Sequence, residues 1–257
     1  MDLGISGKTA FVAASTGGLG LAVARALAAE GARVAITGRR RERAEEIAAE
    51  LPGAIAIEAD LSTPEGVAAA VERTERELGP IDILVLNGPG PKPGAAAALT
   101  ADDLASAFET LVRPHHALVS LVLPGMRERR WGRVLAIGSS GVVAPLPNLA
   151  VSNTGRAALA AYLKTLAAEV ALDAVTVNLL LPGRIGTDRV AELDQAAAKR
   201  RGVTVTDIER ESLKTIPVRR YGNPEEFGAA AAFLCSAPAS YITGVALRCD
   251  GGLIRSL

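Results

Sequence analysis

The stretch Thr9-Ala10-Phe11-Val12-Ala13-Ala14-Ser15-Thr16-Gly17-Gly18-Leu19-Gly20 runs from an apolar segment into a glycine-rich turn, and the alanine-rich residues after it carry helical spacing. A strand that ends on glycines and turns at once into a helix offers free backbone N–H groups and the positive end of the helix dipole, an arrangement that receives a pyrophosphate. Ala14, Ser15, Thr16, Gly17, Gly18, Leu19 and Gly20 are therefore candidate nucleotide-binding residues. An ordinary tight strand-to-helix turn has the same composition, so the surrounding pattern must separate the two readings.

That pattern repeats along the chain. Further short apolar runs lie at 33–37, 54–59, 83–86, 133–137, 176–181 and 244–248, giving seven strands with the first. Helical spacing falls between them near 18–30, 40–50, 64–78, 101–130, 150–171 and 224–235. Thr63-Pro64-Glu65 and Asn223-Pro224-Glu225 place a capping residue before a proline at the first helical position, where a missing N–H costs nothing. Runs such as Val175-Thr176-Val177-Asn178-Leu179-Leu180-Leu181 need cover on both faces. The fold class expected is α/β: a Rossmann-type, doubly wound, mainly parallel sheet of seven strands with helices on both sides. No linker or repeat divides residues 1–257, so a single dinucleotide-binding domain is expected. Two segments break the rhythm: a glycine- and proline-rich loop at 88–98 after a strand's carboxyl end, and a long charged connection at 184–217 that reads as a mobile lid.

Composition narrows the partners. The 257 residues carry 28 basic and 28 acidic side chains, which leaves no excess charge for nucleic acid or an anionic bilayer. The amino terminus lacks the pattern of a secretory signal and no apolar run reaches membrane-spanning length, so a cytoplasmic protein is expected. Cys235 and Cys249 lack ligand spacing with His115 and His116; no metal is expected, and both cysteines read as buried small apolar residues. About twenty residues beyond the glycine turn, where an acid would hold the ribose of NAD, stands Thr37-Gly38-Arg39-Arg40. A guanidinium binds a 2′-phosphate that an acid would repel, so Arg39 favours NADP. Arg40, Arg41 and Arg43 read as the solvated start of the next helix, and Arg39 has that alternative too.

In sequence order the glycine turn, Asp60, Asn87, Gly138-Ser139-Ser140, Pro182-Gly183 with Thr187, and the closing Asp250-Gly251-Gly252 make a pattern that resembles the short-chain dehydrogenase/reductases, in particular the 3-oxoacyl-acyl-carrier-protein reductases. The resemblance implies that Asp60 and Leu61 meet the adenine, that Asn87 and Gly88 shape the cofactor floor, and that Pro182, Gly183, Ile185 and Thr187 approach the nicotinamide carboxamide. It also implies a homodimer or homotetramer, a small carbonyl or acyl substrate, and in the carrier-protein reductases a docking surface near the basic run Arg127–Arg133.

The departures lie in the chemistry. The family's Thr-Gly at the start of the turn is Ala13-Ala14, and its second-glycine arginine is absent, with Gly17 in that region. Its Tyr-x-x-x-Lys pair is Ser152 and Arg156, its helix asparagine is Leu111, and only its serine survives, as Ser139 or Ser140. A phenol near pKa 10, drawn down by an ammonium, can protonate a developing alkoxide; a serine hydroxyl is a far weaker acid and a guanidinium holds its proton. Ser139, Ser140, Ser152 and Arg156 can still polarise a carbonyl and stabilise an oxyanion, with water supplying the proton, and Arg156 can hold the nicotinamide ribose. Three functions share these residues: an atypical NADP-dependent oxidoreductase, a non-redox cyclase, isomerase or lyase, and a nucleotide-sensing protein without catalysis. His115 and His116 point about 100° apart on their helix, so at most one faces the pocket.

Overall fold

The structure, a computed structural model, describes residues 1–256. Seven parallel strands, β1 (Thr9–Val12), β2 (Arg33–Gly38), β3 (Ile55–Glu58), β4 (Ile83–Leu86), β5 (Gly132–Ile137), β6 (Val175–Pro182) and β7 (Ala246–Cys249), form one sheet in the order β3-β2-β1-β4-β5-β6-β7. The order reverses between β1 and β4, which pair in register Ala10 with Ile83, Phe11 with Leu84 and Val12 with Val85. A crevice opens at such a reversal, outside the carboxyl ends of the strands.

Alternate residues along a strand face opposite sides, and here both sides are covered. Phe11 and Leu84 belong to the core beneath α3 (Pro64–Leu78), α5 (Arg113–Glu128) and α6 (Ala150–Val170). Ala10, Val12, Ile83 and Val85 belong to the core beneath α1 (Gly18–Ala29), α2 (Arg41–Glu50) and α9 (Pro224–Leu234). Both proline-marked starts hold: Thr63 Oγ1 accepts the Gly66 N–H at 3.1 Å before α3, and the Asn223 N–H donates to Glu226 Oε2 at 2.7 Å before α9. No helix among the described residues is long and apolar enough to cross a membrane.

The expected helix 101–130 is instead two, α4 (Ala101–Leu111) and α5, with a bend at Val112 where ψ is −57° and φ is −115°. Pro114 explains the break, because it has no N–H for the Thr110 carbonyl and crowds the residue before it. The charged connection 184–217 folds as α7 (Asp188–Arg201) and α8 (Val205–Thr215), each buried on one narrow side. Cys235 is fully buried as expected, whereas Cys249 is only half-buried.

Candidate active site

The glycine turn is set by a polar clasp between β1 and β2. Ser15 Oγ donates to the Val12 carbonyl at 2.7 Å and accepts the Thr37 N–H at 2.9 Å; Thr37 Oγ1 donates to the same carbonyl at 2.9 Å and accepts the Ala14 N–H at 3.1 Å. Ser15 is fully buried, so its hydroxyl holds the turn, and what the residue can offer a nucleotide is its place in the backbone of that turn. Asn87, from the carboxyl end of β4, donates to the Ala14 carbonyl at 3.1 Å. It reaches that carbonyl because Gly20 has no side chain: a Cβ there would lie 2.7 Å from Asn87 Nδ2 and 2.6 Å from the Ala14 oxygen. Ala14 itself has φ +48°, a left-handed conformation that a turn of negative φ would have avoided. Gly17, Gly18 and Leu19 open α1, and the space beside Gly18 is free of other atoms.

At the ribose position the sequence singled out Arg39, and the structure adds Arg40. Arg40 Nη2 donates to the Thr16 carbonyl at 3.3 Å and to Thr16 Oγ1 at 3.4 Å, leaving its guanidinium beside Gly17. Arg40 is the exposed N-cap of α2, with its carbonyl accepting the Ala44 N–H at 3.0 Å, so it starts the helix as the sequence read it and its side chain also reaches back to Thr16. Arg39 is exposed near Asp60. The Asp60 carboxyl lies below its ordinary range, chiefly because Ser62 donates both its hydroxyl and its N–H to it. Leu61 is part-buried against the core, and Gly88 lies over the His115 ring.

The reacting side of the crevice is built on β5, α6 and β6. Ser139 ends the turn after β5, and its Oγ accepts the Gly141 N–H at 3.1 Å, which leaves its own proton free to donate. Ser140 is buried at the start of a short 3-10 turn. Ser152 and Arg156 share one face of α6, both half-buried. Arg156 Nη1 donates to the carbonyls of Ile137 at 2.9 Å and Gly138 at 3.1 Å, so the guanidinium is anchored at the end of β5 directly before Ser139. Burial and then the neighbouring Arg189 bring Arg156 down to about 10, still well above neutrality. Pro182 and Gly183 close β6, where the Gly183 N–H donates to the Cys249 carbonyl at 3.0 Å. Ile185 is buried in the core and bridged to Gly222, whereas Thr187 is the N-cap residue of α7.

The missing asparagine has a packing reason. Leu111 is buried, and its side chain presses on Gly155 of α6, where a Cβ would meet it at 2.8 Å; an amide would be enclosed there. The Leu111 carbonyl, freed by the bend, is met at 2.7 Å by His115 Nδ1. His115 is buried, and its ring is held below its ordinary range by desolvation, whereas His116 is exposed and lies 5.5 Å from the Tyr162 ring. No phenol substitutes for the missing acid: Tyr221 gives its hydroxyl to Asp194 at 2.9 Å, and Tyr241 is fully exposed.

The basic run 127–133 is spent at the amino end of the sheet, opposite the crevice. Arg127 pairs with Asp173, Arg129 and Arg130 donate to the carbonyls of Ile81 and Leu172, and buried Arg133 donates to those of Ser236 and Gly132. Arg127, Arg129 and Arg130 stay exposed while they make these bonds.

With this geometry, comparisons with known proteins agree. Residues 13–254 match a family model described as enoyl-(acyl carrier protein) reductase. A 3-oxoacyl-acyl-carrier-protein reductase of Aquifex aeolicus is 33% identical over 98% of this chain and 100% of its own length. An NADPH-dependent reductase of Bacillus subtilis is 30% identical over 98% of this chain and 100% of its own length. Among solved structures, L-sorbose reductase from Gluconobacter frateurii, complexed with NADPH and L-sorbose, superposes with a TM-score of 0.93 at 33% identity over 100% of both chains. The chain belongs to the short-chain dehydrogenase/reductase family of oxidoreductases.

Proposed function

We propose that the protein is an NADP-dependent carbonyl reductase that works without a phenolic acid. The observation that carries this reading is the cradle at the carboxyl ends of β1 and β2, where the open amino end of α1 meets the Arg40 guanidinium lying beside Gly17. These residues fit a dinucleotide phosphate: free N–H groups for the pyrophosphate, and Arg39 and Arg40 for a 2′-phosphate. The NADPH bound to the sorbose reductase and the NADPH dependence of the Bacillus relative support the same choice. Bound NADPH supplies the hydride. Ser139 and Ser152 would donate hydrogen bonds to the carbonyl oxygen, Arg156 would stabilise the charge that develops there, and a water would deliver the one proton that the alkoxide takes up. Without a general acid the rate falls by roughly 10² to 10⁴ relative to a reductase that has one.

The absence of any phenol at the crevice favours a second reading, a non-redox cyclase, isomerase or lyase that uses the same oxyanion-binding groups. One experiment separates the two. Purified protein is given NADPH and a panel of ketones, aldehydes and oxo acids, alone and as Ser139→Ala. Stoichiometric NADPH oxidation that Ser139→Ala abolishes supports the reductase, and turnover without NADPH consumption supports the alternative.

The substrate is proposed to be a small carbonyl compound, a reading supported by the L-sorbose bound to the Gluconobacter reductase. Self-association into a homodimer or homotetramer is proposed from exposed Leu104 and Phe108 on α4 and Leu121 on α5, each more than 40% accessible.

A further inference from the structure

We infer that His115 is a positioning residue of this site: its side chain ties the cofactor floor at the end of β4 to the break between α4 and α5, and through Leu111 to the stretch of α6 that carries Ser152 and Arg156. The inference rests on the reductase reading and adds a residue to it.

The first observation is a bond that a regular helix does not make. Pro114 interrupts the backbone ladder, so α4 ends at Leu111 and α5 begins at Arg113. The Leu111 carbonyl is met by the His115 side chain instead, from Nδ1 at 2.7 Å. A carbonyl only accepts, so Nδ1 carries the proton. The ring is buried, and desolvation holds it toward its neutral form, which has one proton to give. That proton is committed to the Leu111 carbonyl, which fixes the tautomer and the orientation of the imidazole.

The second observation is what lies over the ring. Asn87 and Gly88 follow β4, at the reversal of strand order where a ligand crevice opens. A Cβ on Gly88 would lie 3.7 Å from both Cε1 and Nε2 of His115 and 4.0 Å from the Thr110 carbonyl. The side of Gly88 that would carry a side chain therefore points at the ring, with room for a methyl group and no more. Asn87 in turn donates to the Ala14 carbonyl at 3.1 Å. One short segment thus meets the glycine turn on one side and His115 on the other. With the 2′-phosphate held at the end of β2 and the pyrophosphate at α1, the nicotinamide end of the cofactor extends toward this segment.

The third observation is what Leu111 does. Its side chain is buried against Gly155, where a Cβ would meet Leu111 Cδ1 at 2.8 Å and the Ala107 carbonyl at 3.0 Å. Helix α4 therefore packs on α6 between Ser152, one turn earlier, and the adjacent Arg156. An apolar side chain at position 115 would fill the same space and leave the Leu111 carbonyl without its donor in a buried bend, which is costly. The break needs a donor where Nδ1 stands, and the floor and α6 both lean on the residues that this donor holds.

The test uses three variants of the full chain. In asparagine the amide nitrogen falls where Nδ1 stands, in glutamine it falls near Nε2, and leucine has no donor. Amide exchange in the free protein reads the break itself, at the Val112 and His116 N–H groups that bond to the Phe108 and Val112 carbonyls. Exchange there is expected to quicken about tenfold in His115→Gln and His115→Leu and to stay within about threefold of wild type in His115→Asn. Calorimetry with NADPH and with 2′-phospho-ADP-ribose, the same dinucleotide without its nicotinamide, reads the floor. His115→Gln and His115→Leu are expected to lose about tenfold in NADPH affinity and nothing for the fragment, and His115→Asn to bind both as wild type does. Exchange rates alike in all four proteins, an asparagine variant no better than glutamine, NADPH affinity kept in every variant, or equal losses for NADPH and the fragment overturns the inference. The asparagine and glutamine pair keeps the comparison valid if His115→Leu fails to fold. Wild-type protein that binds neither NADPH nor the fragment removes the reductase reading, while the exchange rates still decide what His115 holds.

Discussion

Replacing Ala14 with glycine probes the cofactor turn where it is most strained. Ala14 sits at φ +48°, and three contacts fix it there: its N–H donates to Thr37 Oγ1, its carbonyl accepts from Asn87, and the next residue is clasped to β1 and β2 by the Ser15 hydroxyl. A left-handed conformation costs an L-residue about 1–2 kcal/mol, and glycine removes that cost. Glycine also loses about 0.4–1 kcal/mol more entropy on folding than alanine. The difference leaves a net gain of about 0.5–1 kcal/mol. At about 2.1 cal/mol/K per residue the unfolding entropy of a chain of this size turns that gain into a rise in Tm of about 1–2 °C. Ala13→Gly is the matched control, because Ala13 is fully buried in the core and has no positive φ. It loses a packed methyl and stiffens nothing, so its Tm is expected to fall by about 2 °C or more. Differential scanning calorimetry of both variants, with and without NADPH, decides the matter. A fall in Tm for Ala14→Gly comparable with that of Ala13→Gly refutes the strain argument and places the value of Ala14 in its methyl group.

Other outcomes follow from the same contacts. Asp194 is almost fully buried, paired with Arg184 and bonded to the Tyr221 hydroxyl; since Arg184 remains 34% exposed, Asp194→Ala is expected to destabilise α7 by about 2–3 kcal/mol, read as faster amide exchange along α7 and α8. Arg40→Ala is expected to weaken NADPH at least tenfold while changing NADH affinity by less than about threefold, measured by calorimetry; equal losses for both cofactors would remove Arg40 from the 2′-phosphate site. Arg156, brought down to about 10 by burial and then by Arg189, is still a cation at neutral pH, so NADPH affinity measured by calorimetry is expected to stay level as pH rises through neutrality. A loss of affinity near neutrality would point to a different group. Cys235, buried and pushed up to about 12, is expected to stay unreactive toward a thiol reagent until the protein unfolds, followed by absorbance in denaturant.

The fold was legible because its determinants are local. Strand β4 at Ile83–Leu86 and the helices behind Thr63-Pro64 and Asn223-Pro224 needed only an apolar run or a cap and a proline. The bend at Val112 was less so, because proline has two meanings in one segment: Pro114 restarts a helix, whereas Pro124 sits inside α5 and the helix runs on. Apolar spacing passes through both. The site divides the same way. Ser139, Ser152, Arg156 and Asn87 stand at strand ends or one helical turn apart, where position along the chain fixes position in space. Arg40 reaches Thr16 from the end of the neighbouring strand, 24 residues on, and Arg189 reaches Pro91 across 98 residues of sequence, so neither contact leaves a mark in local spacing. Ser15 shows the converse: its place in the turn suggested a ligand, while the neighbouring strand claimed its hydroxyl.

The central claim is that hydride transfer proceeds in a crevice where hydroxyls and a guanidinium stand in for a phenolic acid. NADPH deuterated at the transferring position of C4, incubated with the wild-type protein and the panel of carbonyl compounds, tests it directly by mass spectrometry of the product. Deuterium on the new carbinol carbon, one per NADPH oxidised and absent with Ser139→Ala, is the result expected. A product free of deuterium, formed while NADPH stays bound and unoxidised, would contradict it.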